Sequence, residues 1–188
     1  PWRLRPYSVF EIGNRRDYFL IDNELDFANE RVFRKVSDKS YRPMLRLLSE
    51  LLDLHPGFKF TLSLSGVVLE QFQQYEPELL GLIQSMVATG RVEVLGETYY
   101  HSLAGLYDEA EFARQVKQHQ ALVESLFKVT PQVFRNTELI YTNRVAEQVA
   151  DLGYQAMLAE GADHILRGRK PTQLYHAPHS NDFPLLLK

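Results

Sequence analysis

The sequence predicts an α/β fold built around a parallel sheet, on three observations. Short runs rich in β-branched and aromatic residues read as strands: FKFTLSL at 58–64, RVEVL at 91–95 and VFRNTELI at 133–140. Between them lie longer stretches whose apolar residues recur at helical spacing. Strands separated by helices imply βαβ units, and such units lay their strands parallel. With 188 residues, 45% of them hydrophobic and 24% charged, the chain has material for one domain core over residues 1–188.

Residues 1–23 show no clear period and read as a loop with a short apolar piece at Tyr18–Ile21. Leu25–Val36 alternates charged and apolar residues in a way that permits a helix. Pro43 opens a helix carrying Met44, Leu47, Leu48, Leu51 and Leu52, and His55-Pro56-Gly57 stops it. After the strand at 58–64, Ser65 can cap a helix from about Val67 to Thr89, which Pro77 divides. Gly90 ends that stretch and the strand Arg91–Leu95 follows. Glu109–Phe127 is a long amphipathic helix with Phe112, Val116, Leu122, Val123 and Leu126 on its apolar side. The strand that begins at Val133 leads to a helix over Asn143–Leu152, which Gly153 terminates. Tyr154–Leu158 and Gln173–His176 are two further short strands.

Composition excludes several function classes. A net charge of −3 leaves no basic footprint for nucleic acid and no polybasic membrane patch. No apolar run approaches the roughly 20 residues that span a bilayer. Cysteine is absent, which removes disulfides and thiol-based metal or redox chemistry and fits a cytoplasmic location. With no secretory signal and no initiator Met, the N-terminus is expected to be cut. No phosphate-binding glycine loop and no nucleophile elbow occur.

Two segments carry candidate chemistry. In PQVFRNTELIYTN, alternation along a strand sets Phe134, Asn136 and Glu138 on one face. At the C-terminal end of a barrel strand, a carboxylate such as Glu138 can attack a sugar carbon. The plainer alternative is an ion pair with Arg135 or Arg144. In GRVEVLGETYYHSLA, a strand ends at Gly96 and releases Glu97, Thr98, Tyr99, Tyr100 and His101 into a loop. Glu93 lies within that strand, opposite Val92 and Val94. A charged residue inside a parallel sheet needs a ligand or a partner, and an Arg pair is the alternative.

Together RVEVLGETYYH and VFRNTELIY resemble glycoside hydrolase family 57, the α-amylase and 4-α-glucanotransferase group. One motif of that family has the form Gly-x-x-Glu on a strand, and a later one carries a nucleophilic Glu. The opening PWRLRPYSVFEIG is similar to the segment that follows the family's first strand, with Pro1 matching the end of its His-Gln-Pro motif. The resemblance implies Glu138 as the nucleophile of a retaining mechanism on α-1,4-glucans. It places Glu93, His101, Tyr99 and Trp2 among the substrate-binding groups and requires no cofactor and no metal. It implies a (β/α)7-type barrel, present here as a portion lacking the first strand and the last strand or strands. The family's general acid, an Asp in a motif like Asp-Tyr-Glu, has no match here, so this stretch is expected to lack it and to turn over weakly alone.

Within the family the alternatives are a 4-α-glucanotransferase or a branching enzyme. Outside it stand a non-catalytic carbohydrate-binding module and a metal-dependent polysaccharide deacetylase. The latter would draw on His176, His179, Asp163 and His164. Asp163 and Asp182 otherwise read as caps of turns or helices, Glu160 as a loop residue at a strand end, and Arg167, Arg169 and Lys170 as a solvated loop.

Overall fold

The computed structural model describes residues 2–13, 18–19, 28–178 and 183–188. The chain forms two compact units, Pro1–Phe58 with Val67–Met86, and Lys59–Gly66 with Val87–Lys188.

The first unit is helical. α1 (Asn29–Val36) runs through a π-helical turn, Ser37–Tyr41, into α2 (Arg42–Leu54), whose second residue is Pro43. Pro43 has no N–H to return to the preceding turn, and the π-helical turn just before it, where the Arg42 N–H donates to the Ser37 carbonyl, is where the helical ladder shifts. α3 (Gly66–Tyr75) and α4 (Pro77–Ala88) are the divided helix expected around Pro77. Phe33, Tyr41, Phe72 and Tyr75 form an aromatic cluster, with Phe33 and Phe72 edge to face at 5.2 Å and the other pairs tilted. The buried Glu76 carboxylate accepts from Arg42 Nη2 at 2.7 Å and lies 3.6 Å from Arg34 Nη1. Asn29 holds the N-terminal segment, accepting from the Arg3 N–H at 2.6 Å and donating to the Arg3 carbonyl at 2.9 Å. Of the helix expected over Leu25–Val36, residues 25–27 lie outside the described residues, as do Leu20 and Ile21.

The second unit carries the sheet. β1 (Phe60–Leu62) and β2 (Val92–Val94) pair in parallel, Thr61 opposite Glu93. β3 (Val133–Arg135), β4 (Ala156–Ala159) and β6 (Pro184–Leu187) are parallel to one another, and β5 (Tyr175–His176) closes the edge antiparallel to β6. Gly96 bridges the two groups. Its N–H donates to the Val133 carbonyl at 2.9 Å, and its carbonyl accepts from the Arg135 N–H at 2.8 Å. The order is therefore β1-β2-β3-β4-β6-β5. α5 (Glu109–Phe127) and α6 (Asn143–Asp151) pack on one face. Phe112 and Val116 of α5 and Val145 and Val149 of α6 meet Phe134, Met157 and Leu185 there. The other face stays open in part, with Thr61, Glu93 and Arg135 on it.

α5 begins where its chemistry dictates. Asp108 accepts from the Glu111 N–H at 3.0 Å, and Glu109 and Glu111 sit at the positive end of the helix. Lys128, at φ 59°, turns the chain out of it. Thr142 caps α6 through the Val145 N–H at 3.1 Å.

Three expectations are corrected. β6, in FPLLLK, and the short helix α7 (Asp163–Leu166) were not expected from the sequence. Pro184 has no N–H and is tolerated as the first residue of a strand, where no ladder donor is lost. Each of the five expected strands is shorter than expected, and β4 runs over Ala156–Ala159 where Tyr154–Leu158 was expected. Most consequentially, the strand from Val133 stops at Arg135, and Thr137–Leu139 forms a 3-10 turn. Glu138 therefore does not share the buried face of Phe134. It stands out from the turn at φ 52°, with Leu139 at φ 59°.

Candidate active site

Parallel strands deliver their C-terminal ends to one edge, and the second unit uses that edge to gather polar side chains. Ser63 follows β1, Glu97 to His101 follow β2, Thr137 and Glu138 follow β3, and Glu160 follows β4.

Two tight turns form the centre. After Gly96 the chain closes a turn with the His101 N–H on the Thr98 carbonyl at 3.1 Å, leaving His101 at φ 53°. After β3 the Leu139 N–H donates to the Asn136 carbonyl at 3.0 Å, and Asn136 Nδ2 donates to the Ile140 carbonyl at 2.9 Å. Non-glycine residues with left-handed backbone are strained, and the surroundings must hold them. Here the buried hydroxyls of Thr98 and Thr137 lie 3.1 Å apart in a hydrogen bond joining the turns, and Thr98 Oγ1 also accepts from the Ser102 N–H at 2.9 Å.

Above that bond, His101 Nε2 lies 3.1 Å from Glu138 Oε1. The other ring nitrogen, Nδ1, is 3.5 Å from Glu97 Oε2. The Glu97 side chain is 3% exposed and that of Glu138 is 74% exposed. Ser63 Oγ donates to Glu97 Oε1 at 2.8 Å, and Arg135 Nη1 reaches Ser63 Oγ at 3.5 Å. One imidazole thus stands between a buried carboxylate and an open one.

The plainer readings of these acids do not hold. Arg144 pairs with Glu109, and Arg135 points to Ser63, so the partner of Glu138 is His101. Glu93 is in no ion pair among the described residues. It lies with Lys59, Thr61 and Arg91 along a groove of ≈ 350 Å³ at the N-terminal ends of β1 and β2, not at the C-terminal edge that carries His101 and Glu138. Tyr99 is buried beside Gly66, where a Cβ would come within 2.5 Å of its ring. Tyr100, 4.8 Å from it, is the exposed ring of the pair. Trp2 belongs to the first unit, where its indole N–H donates to Glu70 Oε2 at 3.0 Å and its ring meets Tyr75.

Glu97 and Ser63 were absent from the sequence-based candidates. The available signal was the four-residue spacing of Glu97 and His101 just past a strand end.

Behind the site, α5 sends His119 under the loop after β1, where Nε2 donates to the Leu64 carbonyl at 2.8 Å. Burial pushes the His119 pKa below the usual imidazole range, and the carbonyl and Glu97 oppose that only partly. Tyr154 fills the space beside Gly96, and burial drives its hydroxyl well above the ordinary phenol range. The described residues hold no group of three His, Cys, Asp or Glu side chains placed to share a metal ion. His179 and Asp182 lie outside them. No helix among the described residues is long and apolar enough to cross a membrane.

Comparison with known proteins shows the family and the fold. The family model described as glycosyl hydrolase family 57 matches residues 13–188. A curated protein of Methanocaldococcus jannaschii named "Putative alpha-amylase" is 42% identical over 179 residues, which is 95% of this chain and 37% of that protein. Among solved structures, the 4-alpha-glucanotransferase from Thermococcus litoralis superposes with a TM-score of 0.72 at 17% identity, over 84% of this chain and 25% of that one. The GH57-type branching enzyme from Pyrococcus horikoshii gives 0.65 at 17% identity, over 86% and 42%. These two likenesses show the fold. The chain spans well under half the length of each of these relatives.

Proposed function

Because the chain belongs to glycosyl hydrolase family 57, we propose that the whole protein is a retaining glycoside hydrolase acting on α-1,4-linked glucans, with Glu138 as its nucleophile. The sheet of the second unit is read as the middle of a (β/α)7-type barrel, with the site at its C-terminal face. The observation that carries the assignment is the Glu138 carboxylate at that edge, open to solvent on one side and met by His101 Nε2 at 3.1 Å on the other.

In this reading a Glu138 oxygen bonds to the anomeric carbon while the bond from that carbon to the leaving sugar oxygen breaks. The departing oxygen keeps the electron pair and takes a proton from a second carboxyl group. Water then adds to the same carbon, returns a proton to that second group, and releases Glu138 as a carboxylate. We assign the second carboxyl group to none of these 188 residues. A sugar hydroxyl in place of water gives transfer, so an α-amylase differs from a glucanotransferase or branching enzyme by its acceptor. Glu93 and His101 are taken as part of the glucan-binding site, His101 through its hold on Glu138, and Trp2 as a further contact. Tyr99 serves by backing Tyr100, whose ring is free to cover a sugar face.

The test is covalent trapping. The full-length protein is incubated with 5-fluoro-α-glucosyl fluoride, digested, and its peptides weighed. The added sugar is expected on the peptide containing Glu138, and a sugar ester on a different carboxylate removes the assignment.

A further inference from the structure

We propose that Glu97 is a positioning residue that, anchored by Ser63, orients the His101 ring so that Nε2 holds one oxygen of Glu138 and leaves the other for the substrate. The proposal rests on the assignment of Glu138 as nucleophile.

Burial makes the case first. Glu97 is a carboxylate with 3% of its side chain exposed, and such a group is costly unless both oxygens are engaged. Oε1 accepts from Ser63 Oγ at 2.8 Å. Oε2 faces His101 Nδ1 at 3.5 Å, and among the described residues His101 is the one basic side chain that meets Glu97 in this way, an ion pair when the ring is protonated. A buried acid aimed at a half-exposed imidazole is poorly placed to touch a glucan. It is well placed to fix a ring.

Backbone geometry makes it second. His101 and Glu138 both hold left-handed φ angles, 53° and 52°, in turns joined by the Thr98–Thr137 bond. Their positions are thereby set to within the reach of one hydrogen bond. What the backbone leaves free is rotation of the imidazole about its own side-chain bonds, and the contact at Nδ1 removes that freedom. A carboxylate only accepts, so Nδ1 presents its N–H to Glu97, and in the doubly protonated ring Nε2 presents a second N–H to Glu138 Oε1, 3.1 Å away. Oε2 is then the attacking oxygen. The same donor meets the oxygen that becomes the ester carbonyl, without a change in ring orientation.

The experiment is a double-mutant cycle in the full-length protein, read as kcat and KM on a maltooligosaccharide. Glu97→Ala is expected to lower kcat roughly 10- to 100-fold, the cost of misplacing a reacting group, with KM within about twofold of the parent. Glu97→Gln is expected to keep most of the turnover. Its amide oxygen can accept from Ser63, and its NH₂ can donate to Nδ1, leaving the Nε2 proton toward Glu138. His101→Ala is expected to lose a factor similar to Glu97→Ala, and the double variant no more than either alone, because the two act through one contact.

Losses that multiply in the double variant overturn the proposal, as does a Glu97→Gln as damaged as Glu97→Ala. If Glu97→Ala does not fold, Ser63→Ala takes its place, with a several-fold loss of kcat that disappears in the His101→Ala background. Persistence of that loss in the His101→Ala background counts against the proposal. Trapping with the fluorosugar runs in parallel. A sugar on another carboxylate removes the nucleophile assignment and the proposal with it, whereas a sugar on Glu138 with multiplying losses removes the positioning role alone.

Discussion

Thr98 and Thr137, each just beyond the end of a neighbouring strand, share a buried hydrogen bond of 3.1 Å, and the His101–Glu138 pair sits one turn further out on the same two loops. The inner bond is the fixed end of a short lever whose outer end is the His101–Glu138 pair.

Thr98→Val keeps the shape of the side chain and removes its hydroxyl. The Thr137 hydroxyl and the Ser102 N–H then lose a partner, at an expected cost of about 1–3 kcal/mol in stability. Turnover is expected to fall further than this stability loss alone explains, while Thr98→Ser retains both. Urea denaturation beside steady-state kinetics on the three proteins checks this. Equal turnover in the Val and Ser variants would remove the lever from the account.

Gly96 and Tyr154 give a second test, one of packing. A Cβ on Gly96 would lie 2.3 Å from Tyr154 Cε1, against a ring that cannot retreat because it is packed on Phe134 at 5.2 Å. Gly96→Ala is therefore expected to destabilise the protein by roughly 1–3 kcal/mol or more, as overpacked cores do. The Tyr154 hydroxyl is buried without a hydrogen-bond partner among the described residues, so Tyr154→Phe is expected to leave stability unchanged or raise it. Thermal unfolding of both variants reads the two outcomes, and a destabilised Tyr154→Phe would show that the hydroxyl has a partner in solution.

The buried His119 predicts a pH dependence with a definite sign. Its folded pKa is depressed, first by burial, so the unfolded chain binds its proton more readily. Stability is fully present above the unfolded value near 6.5 and declines as pH falls below it, by at most about 1.4 kcal/mol per unit for one proton. His119→Gln can still donate to the Leu64 carbonyl and has nothing to titrate. The variant is expected to show a shallower loss of stability between about pH 6.5 and 5. Parallel slopes for parent and variant would contradict this.

Much of the architecture was legible in the residues. The bounds of α5 follow from Asp108 and from the end of its apolar stripe at Phe127, and the division of α3 from α4 follows from Pro77. These are local features, and local features are written in the sequence. The meeting of His101 and Glu138 was anticipated only as two members of one site. Their contact depends on left-handed turns at residues that are not glycine, which no propensity announces. Glu97 reads only as one of the residues released into the loop after the strand, because its anchor, Ser63, lies 34 residues away. β6 stayed hidden because a strand that opens on proline lacks the usual pattern at its start.

The left-handed backbone at Glu138 also bears on how such a protein ages under selection. At that position glycine would relax the chain by roughly 1–2 kcal/mol, more than a mostly exposed His–carboxylate contact returns. Heat tolerance and turnover consequently pull this codon in opposite directions. A directed-evolution campaign scored on survival at high temperature, with no glucan in the screen, would favour loss of the very carboxylate proposed here as the nucleophile.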